Sequence, residues 1–230
     1  MSAQTEPAWS RARSPVQKRI RQDAILDAAA VLIDELGIDK VSLSAIARRA
    51  QLSKANCYRY FENREAILLE LLVEEGQSWT DQVIEQLSHL SDPASIEQLS
   101  EIVATATLER PRLCELTSAL WTVLESNVSL DVVVGFKRRF GQMSAELCQT
   151  LSERLVDLSV EDAHQFASYY LMFMGSAWAA AKPSPTMQAL FELDEFKDMQ
   201  IDLRTTLRRH ASLLLHGLLP GQDQVPGRTA

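Results

Sequence analysis

Apolar residues recur at spacings of three and four in successive stretches of the chain, the period of helices that bury one face. From Lys18 to about Leu36, Ile20, Ala24, Ala28 and Leu32 lie on one face with Ile25, Ala29 and Leu36 beside them, and Gly37 stops the helix. Leu43, Ile46, Ala47 and Ala50 form a stripe behind the N-cap Ser42; Gln51 and Leu52 interrupt it, and Ser53 caps a further helix over Lys54 to Phe61. From Glu65 a helix runs through Leu68, Leu69, Leu72 and Val73 to near Leu87, with Gly76 lowering its propensity. Ser91-Asp92-Pro93 predicts a break and a new N-terminus with Pro93 in the first turn, and Arg110-Pro111 opens another helix through Cys114, Ala119, Trp121 and Leu124. Ser129 caps a long helix toward Val156, in which Gly135 and Gly141 allow a bend. Val160 to Lys182 carries two stripes, Phe166, Tyr170, Phe173, Ala177 and Ala180, then Tyr169, Met172, Ser176 and Ala179, so it should be covered on both sides. After the loop at Lys182-Pro183-Ser184-Pro185, the terminal helix shows Leu203, Leu207, Ala211, Leu214 and Leu218.

The pattern predicts an all-α fold in two parts, an N-terminal three-helix helix-turn-helix domain and a larger C-terminal helical domain. The boundaries expected are a mobile polar arm over 1–16, the helix-turn-helix domain over 17–65, a helical effector-binding and dimerisation domain over 66–220, and a polar tail over 221–230. At about 100° of rotation per residue, a reading helix with Cys57, Tyr60 and Phe61 turned inward presents Ala55 and Arg59 outward, with Asn56 and Tyr58 on the flanks. Asn pairs with adenine, Arg with guanine or phosphate, and a small residue lets the backbone approach the major groove. A single polar residue of this kind ordinarily marks a solvated face; the set together points to DNA. Arg11 and Arg13 in the arm could reach a minor groove, although a solvated tail is the ordinary meaning of such a segment.

These residues carry a resemblance. Ile46-Ala47, Ala50-Gln51-Leu52-Ser53, Tyr58-Arg59-Tyr60-Phe61 and Arg64-Glu65-Ala66-Ile67-Leu68 resemble the DNA-binding domain of the TetR family of bacterial one-component transcription regulators, over roughly residues 17–72. The resemblance implies an all-helical dimer with a three-helix reading head and a divergent domain that usually binds a small effector and pairs the subunits. By position, Ser53, Lys54, Ala55, Asn56, Tyr58 and Arg59 match the operator-contacting helix, Ser42 and Ser44 match phosphate contacts of the helix before it, and Arg64 matches a basic contact at the next helix start. Two residues depart from the family pattern. Gln51 stands where Gly is usual, a position that tends to want positive φ, and Cys57 stands where a larger aliphatic is usual.

Charge supports the division. The chain of 230 residues carries a net −8, but residues 1–65 hold 11 Lys and Arg against 8 Asp and Glu, a net +3, leaving 12 against 23, a net −11, for 66–230. The basic part coincides with the reading head and the acidic body is kept off phosphates. Cys57, Cys114 and Cys148 are odd in number, widely spaced and form no CxxC pair; buried thiols in a reduced cytoplasm are expected, and nothing local marks a lowered thiol pKa for redox sensing. No signal peptide or membrane-length apolar run is seen, so a cytoplasmic location and no membrane partner are expected.

Trp121, Phe140, Tyr169, Met172, Phe173 and Trp178 are large residues that could line a ligand cavity, although aromatics and Met at helical spacing are more often plain core. The acidic body offers them no cluster of basic residues, so the effector expected is small and mainly apolar. His89, His164, His210 and His216 have no metal-ligand spacing, and no Walker loop, nucleophile elbow or dinucleotide fingerprint occurs, so neither a cofactor nor an enzyme is expected. The reading that accounts for the head is a ligand-released repressor, acting as a homodimer on palindromic double-stranded DNA, with Val160 to Lys182 and Thr186 to Leu219 pairing the subunits and Leu207 and Leu214 in the interface. An architectural or cell-cycle DNA-binding protein without an effector is the alternative; a helical enzyme or carrier leaves the head unexplained.

Overall fold

The computed structural model describes residues 15–91 and 93–219, and among them no strand occurs. The helices are α1 (Pro15–Leu36), α2 (Leu43–Arg49), α3 (Lys54–Cys57), α4 (Arg64–Ser88), α5 (Ile96–Leu108), α6 (Pro111–Ala119), α7 (Leu130–Arg154), α8 (Val160–Ala181), α9 (Pro185–Phe191) and α10 (Leu203–Leu218). The all-helical class read from the spacing is therefore the class found. The chain divides into two compact units at Ile67 and Leu68, a boundary inside α4. Arg11, Arg13, Asp92 and the tail 221–230 lie outside the described residues. Of the arm expected over 1–16, Pro15 and Val16 already belong to α1, because a proline in the first turn has no N–H to leave unpaired.

In the first unit α1 packs on α2 and α2 on α3, burying Ile25, Ala29, Ile46 and Cys57 completely. Gly37 ends α1 with φ 79°, and its N–H donates to Ile33 O at 2.8 Å. The caps read from the sequence form: Ser42 Oγ accepts from Ala45 N–H at 3.2 Å, and Ser53 Oγ from Asn56 N–H at 3.2 Å. Arg49 grips Glu35 with both guanidinium ends, at 2.5 and 2.7 Å, and joins α2 to α1. The reading helix is shorter than the sequence suggests. It is α-helical over Lys54–Cys57 and then tightens, with Arg59 N–H donating to Asn56 O and Tyr60 N–H to Cys57 O, three residues back. The run Tyr58-Arg59-Tyr60-Phe61 is rich in aromatics with low helix propensity, and the buried Cys57 and Phe61 set its end.

In the second unit α8 packs against α6, α7 and α10, and α10 also against α5. A Cβ on Gly175 would stand 3.1 Å from the backbone of Thr117 and Ser118, so α8 and α6 touch main chain to side-chain-free main chain. Three boundaries depart from the sequence reading, those of α5, α6 and the terminal stretch, while α7 is the long helix expected. α5 starts after Ser95 rather than at Pro93, because Ser95 and Gln98 form a reciprocal capping box at 3.2 and 2.9 Å. α6 stops at Ala119, and Trp121 and Leu124 fall on a π turn over Leu120–Leu124 followed by a 3-10 turn. α7 runs unbroken through Gly135 and Gly141, where an added Cβ would meet nothing within 4 Å. The terminal stretch is not one helix: α9 gives way to a 3-10 turn at Asp194–Met199, and α10 begins afresh where Asp202 caps Thr205 N–H at 2.7 Å.

Gln51 has φ 55°, as the family pattern implied for its position. A side chain there costs roughly 1 kcal/mol, and a β-branched one more. Gln51→Val should therefore be less stable than Gln51→Gly by about 1–2 kcal/mol in denaturant unfolding; equal stabilities would remove the strain.

Candidate nucleic-acid interface and ligand cavity

On the first unit the inward side of α3 is fixed by Cys57, which has no exposure, and by Phe61. Lys54, Ala55, Tyr58 and Arg59 are then exposed and Asn56 is half-buried, with Lys54 Nζ 5.9 Å from the centre of the Tyr58 ring. Ser42 and Ser44 are exposed at the start of α2. The cap oxygens of Ser42 and Ser53 accept backbone N–H groups, which leaves each hydroxyl proton free to be donated outward. Arg48, exposed at the end of α2, is a cation that the sequence reading left out; the basic pair Arg48-Arg49 was its signal, and Arg49 is occupied by Glu35. Arg64 differs from the rest. Its Nη2 donates to Ile38 O at 3.2 Å, its Nη1 stands 3.7 Å from Glu65 Oε1, and its Nε is enclosed without a partner, so its guanidinium is turned into its own unit.

The second unit holds a cavity of about 300 Å³ between α4, α6, α7 and α8. Gly76 and Trp79 of α4, Leu113 of α6, Phe140, Met143 and Leu147 of α7, and Phe166, Tyr170 and Met174 of α8 wall it, while the exposed Trp121, Lys137 and Met172 mark its open side. Three residues expected to line a cavity do so: Trp121, Phe140 and Met172. The other three do not. On α8, Phe173 and Tyr169 lie about 60° and 100° round from Tyr170; Phe173 stacks on His210 at 3.6 Å, and Tyr169 is half exposed. Trp178 lies two turns further on, its Nε1 donating to Glu115 Oε2 at 3.4 Å with Lys182 Nζ 4.3 Å over its ring. Phe166 and Tyr170 were missed because they sit in a stripe that reads as plain core, and Trp79 because no stripe singled it out.

The polar ends of two rings in the wall, Trp79 and Tyr170, are tied to Thr107. Trp79 Nε1 donates to Thr107 Oγ1 at 3.2 Å, that hydroxyl donates to Val103 O at 2.7 Å, and the Tyr170 hydroxyl lies 3.1 Å from Thr107 Oγ1 and 3.3 Å from Val103 O. Burial pushes the Tyr170 phenol well above its ordinary pKa, so it stays a neutral hydroxyl. Burial also raises all three thiols, Cys114 to about 12, the opposite of what a thiolate sensor needs. Among the described residues no group of three or more His, Cys, Asp or Glu could hold a metal ion, and no helix is long and apolar enough to cross a membrane.

A helix-turn-helix unit followed on the same chain by a cavity-bearing helical unit defines a helix-turn-helix regulator. The chain belongs to the tetR family of bacterial regulatory proteins: that family's model matches residues 25–71, and the tetracyclin repressor-like C-terminal domain matches residues 73–222. The fatty acid metabolism regulator protein of Bacillus subtilis (strain 168) is 27% identical over 139 residues, 60% of this chain, and the chain spans 62% of that relative's length. Among solved structures, FadR of Thermus thermophilus in complex with lauroyl-CoA is 20% identical with a TM-score of 0.58, covering 90% of this chain and 100% of that one. FadR of Bacillus subtilis in complex with stearoyl-CoA is 19% identical with a TM-score of 0.52, covering 85% and 98%. At these identities the likeness establishes the fold.

Proposed function

We propose that the protein is a sequence-specific DNA-binding transcriptional repressor that leaves its operator when a long-chain acyl-CoA fills the cavity of the second unit. The cavity carries this reading: an apolar space of about 300 Å³ walled by Trp79, Phe140, Met143 and Phe166, in a chain similar to FadR proteins solved with acyl-CoA ligands. Each methylene moved from water into such a wall contributes roughly 0.8 kcal/mol, enough for the tail to carry the affinity. The sequence expectation of a mainly apolar effector fits the acyl part alone. The anionic coenzyme A part would meet Lys137 on the open side, whose Nζ stands 2.5 Å from Glu125 Oε1 and would have to exchange that partner.

On the first unit Asn56 and Arg59 read base edges, Ala55 allows the close approach, and Lys54, Tyr58, Ser42, Ser44 and Ser53 position the phosphates. Arg64, matched to a basic contact by position, acts first on its own fold through Ile38 O. The protein pairs through the exposed face of α8 at Tyr169, Ala179 and Ala180, together with Leu213 of α10, giving two helices from each copy and a near-palindromic operator. Leu207 cannot serve there as the sequence suggested, since it has no exposure within its own chain, and Leu214 is half-buried.

Stearoyl-CoA should weaken operator binding, and operator DNA should weaken stearoyl-CoA binding by the same factor; calorimetry with and without operator measures both. Operator affinity unmoved by any acyl-CoA would return the reading to an effector-free DNA-binding protein. Asn56→Ala should cost roughly 1–3 kcal/mol on the operator and narrow its margin over a scrambled duplex, while Lys54→Ala should weaken both duplexes and lower the salt slope by about one per half-site. Titrations at several salt concentrations decide; equal loss on both duplexes for Asn56→Ala refutes base reading. Leu213→Asp should give monomers in sedimentation at micromolar concentration with helicity intact, and a persistent dimer would place the interface elsewhere.

A further inference from the structure

We infer that Gly76 and Met143 together set how long an apolar chain the cavity accepts, which makes a mid-helix glycine the specificity-determining residue of the site. The inference rests on the acyl-chain reading above. Along α4 the inward row Leu69, Leu72, Gly76, Thr80, Val83 and Leu87 is spaced by three and four, and Gly76 is its one gap. That gap opens on the cavity beside Trp79. A glycine in a helix interior is a poor helix former, so its presence in the middle of α4 calls for a reason.

The reasons other glycines have do not apply. A Cβ on Gly175 would meet the backbone of α6 at 3.1 Å, which cannot yield, so that glycine serves helix contact. A Cβ on Gly135 or Gly141 would meet nothing. A Cβ on Gly76 would meet only Cε and Sδ of Met143, at 3.1 Å, and those atoms are the free end of a flexible thioether that also lines the cavity. Packing alone would thus tolerate alanine at 76 by a small rotation of Met143, but the rotation moves the thioether into the cavity. The polar atoms that Trp79 and Tyr170 bring to this wall are spent on Thr107, so both rings present carbon to the cavity, beside the hydroxyl-bearing Thr80, Ser144 and Ser168. Gly76 keeps that space open and Met143 trims it.

The test is the chain-length profile of acyl-CoA binding to the full-length protein and its variants, from octanoyl-CoA to stearoyl-CoA, by calorimetry. Each methylene kept out of the cavity weakens binding roughly fourfold. Gly76→Ala should therefore bind stearoyl-CoA roughly four- to sixteenfold more weakly, leave octanoyl-CoA unchanged, and raise rather than lower the thermal midpoint. Met143→Ala in the Gly76→Ala background should restore stearoyl-CoA. An equal loss at every length, or no change at any, overturns the inference. If the unaltered protein binds no acyl-CoA of any length, the acyl-chain reading itself falls and this one with it; binding with a flat length profile in every variant sinks the role of Gly76 alone.

Discussion

The hydroxyl of Thr107 is the point on which the second unit depends. It receives the indole N–H of Trp79 from α4, lies against the phenol of Tyr170 from α8, and donates to Val103 O within its own α5. The carbonyl of the same residue lies 3.6 Å from Cys114 Sγ of α6. Four helices thus meet at one residue with no exposure. A buried donor left unpaired costs about 1–3 kcal/mol, so neither ring can turn away without a penalty comparable to a core mutation. Large aromatic rings beside an open space would otherwise relax into it; held by their polar ends, Trp79 and Tyr170 stay in the wall, stacked with centroids 6.3 Å apart. A hydrogen-bond requirement thereby maintains an apolar cavity.

The surroundings of α4 add orientation more than stability. Glu75 pairs with Arg112 of α6 at 2.5 Å, and Glu70 with Arg139 of α7, on either side of the turn leading to Gly76. These side chains are partly exposed, where such pairs contribute about 0–1 kcal/mol each. Their value lies in fixing the register of α4 against α6 and α7, two of the three helices that complete the wall. At the other end of α7, Arg154 Nη2 donates to Leu90 O at 2.7 Å while Ala94 N–H donates to Arg154 O at 2.9 Å, which closes the connection between α4 and α5.

The first unit was legible because each of its features obeys a local rule. Ser42 and Ser53 cap as their positions demand, Cys57 points inward as the helical rotation requires, and Gln51 takes the positive φ that the family pattern assigns to its position. The one misreading of its helices is also local in origin, since the aromatics after Cys57 tighten a helix that periodicity alone would extend; Arg64 finds a carbonyl 26 residues away in sequence, which no spacing reveals. In the second unit the stripes marked which residues are buried but not against what. Phe166 and Tyr170 read as core and are core, yet one side of each faces open space; Phe173 and Trp178 look identical in sequence and are filled on that side by His210, Lys182 and Glu115. Leu207 looked like an interface residue for the same reason, since burial within a chain and burial between chains write the same pattern.

A cavity is a property of missing volume, and missing volume leaves a trace in sequence only where a residue is smaller than its row requires. Gly76 is such a trace, although its ordinary meaning is a flaw in helix propensity; the distinction needs the distances to Met143 and the contrast with Gly175. The same reasoning bears on what the ligand contributes. The second unit belongs to the strongly acidic part of the chain, and Lys137, the cation among the described residues that line its cavity, already pairs with Glu125. On the proposed reading, electrostatics would therefore offer an anionic headgroup little, and discrimination would come from the fit of a tail against Trp79, Phe166 and Met143. The polar groups of α3 are aimed outward from the first unit, whereas the cavity of the second is shaped where Gly76 lacks a side chain.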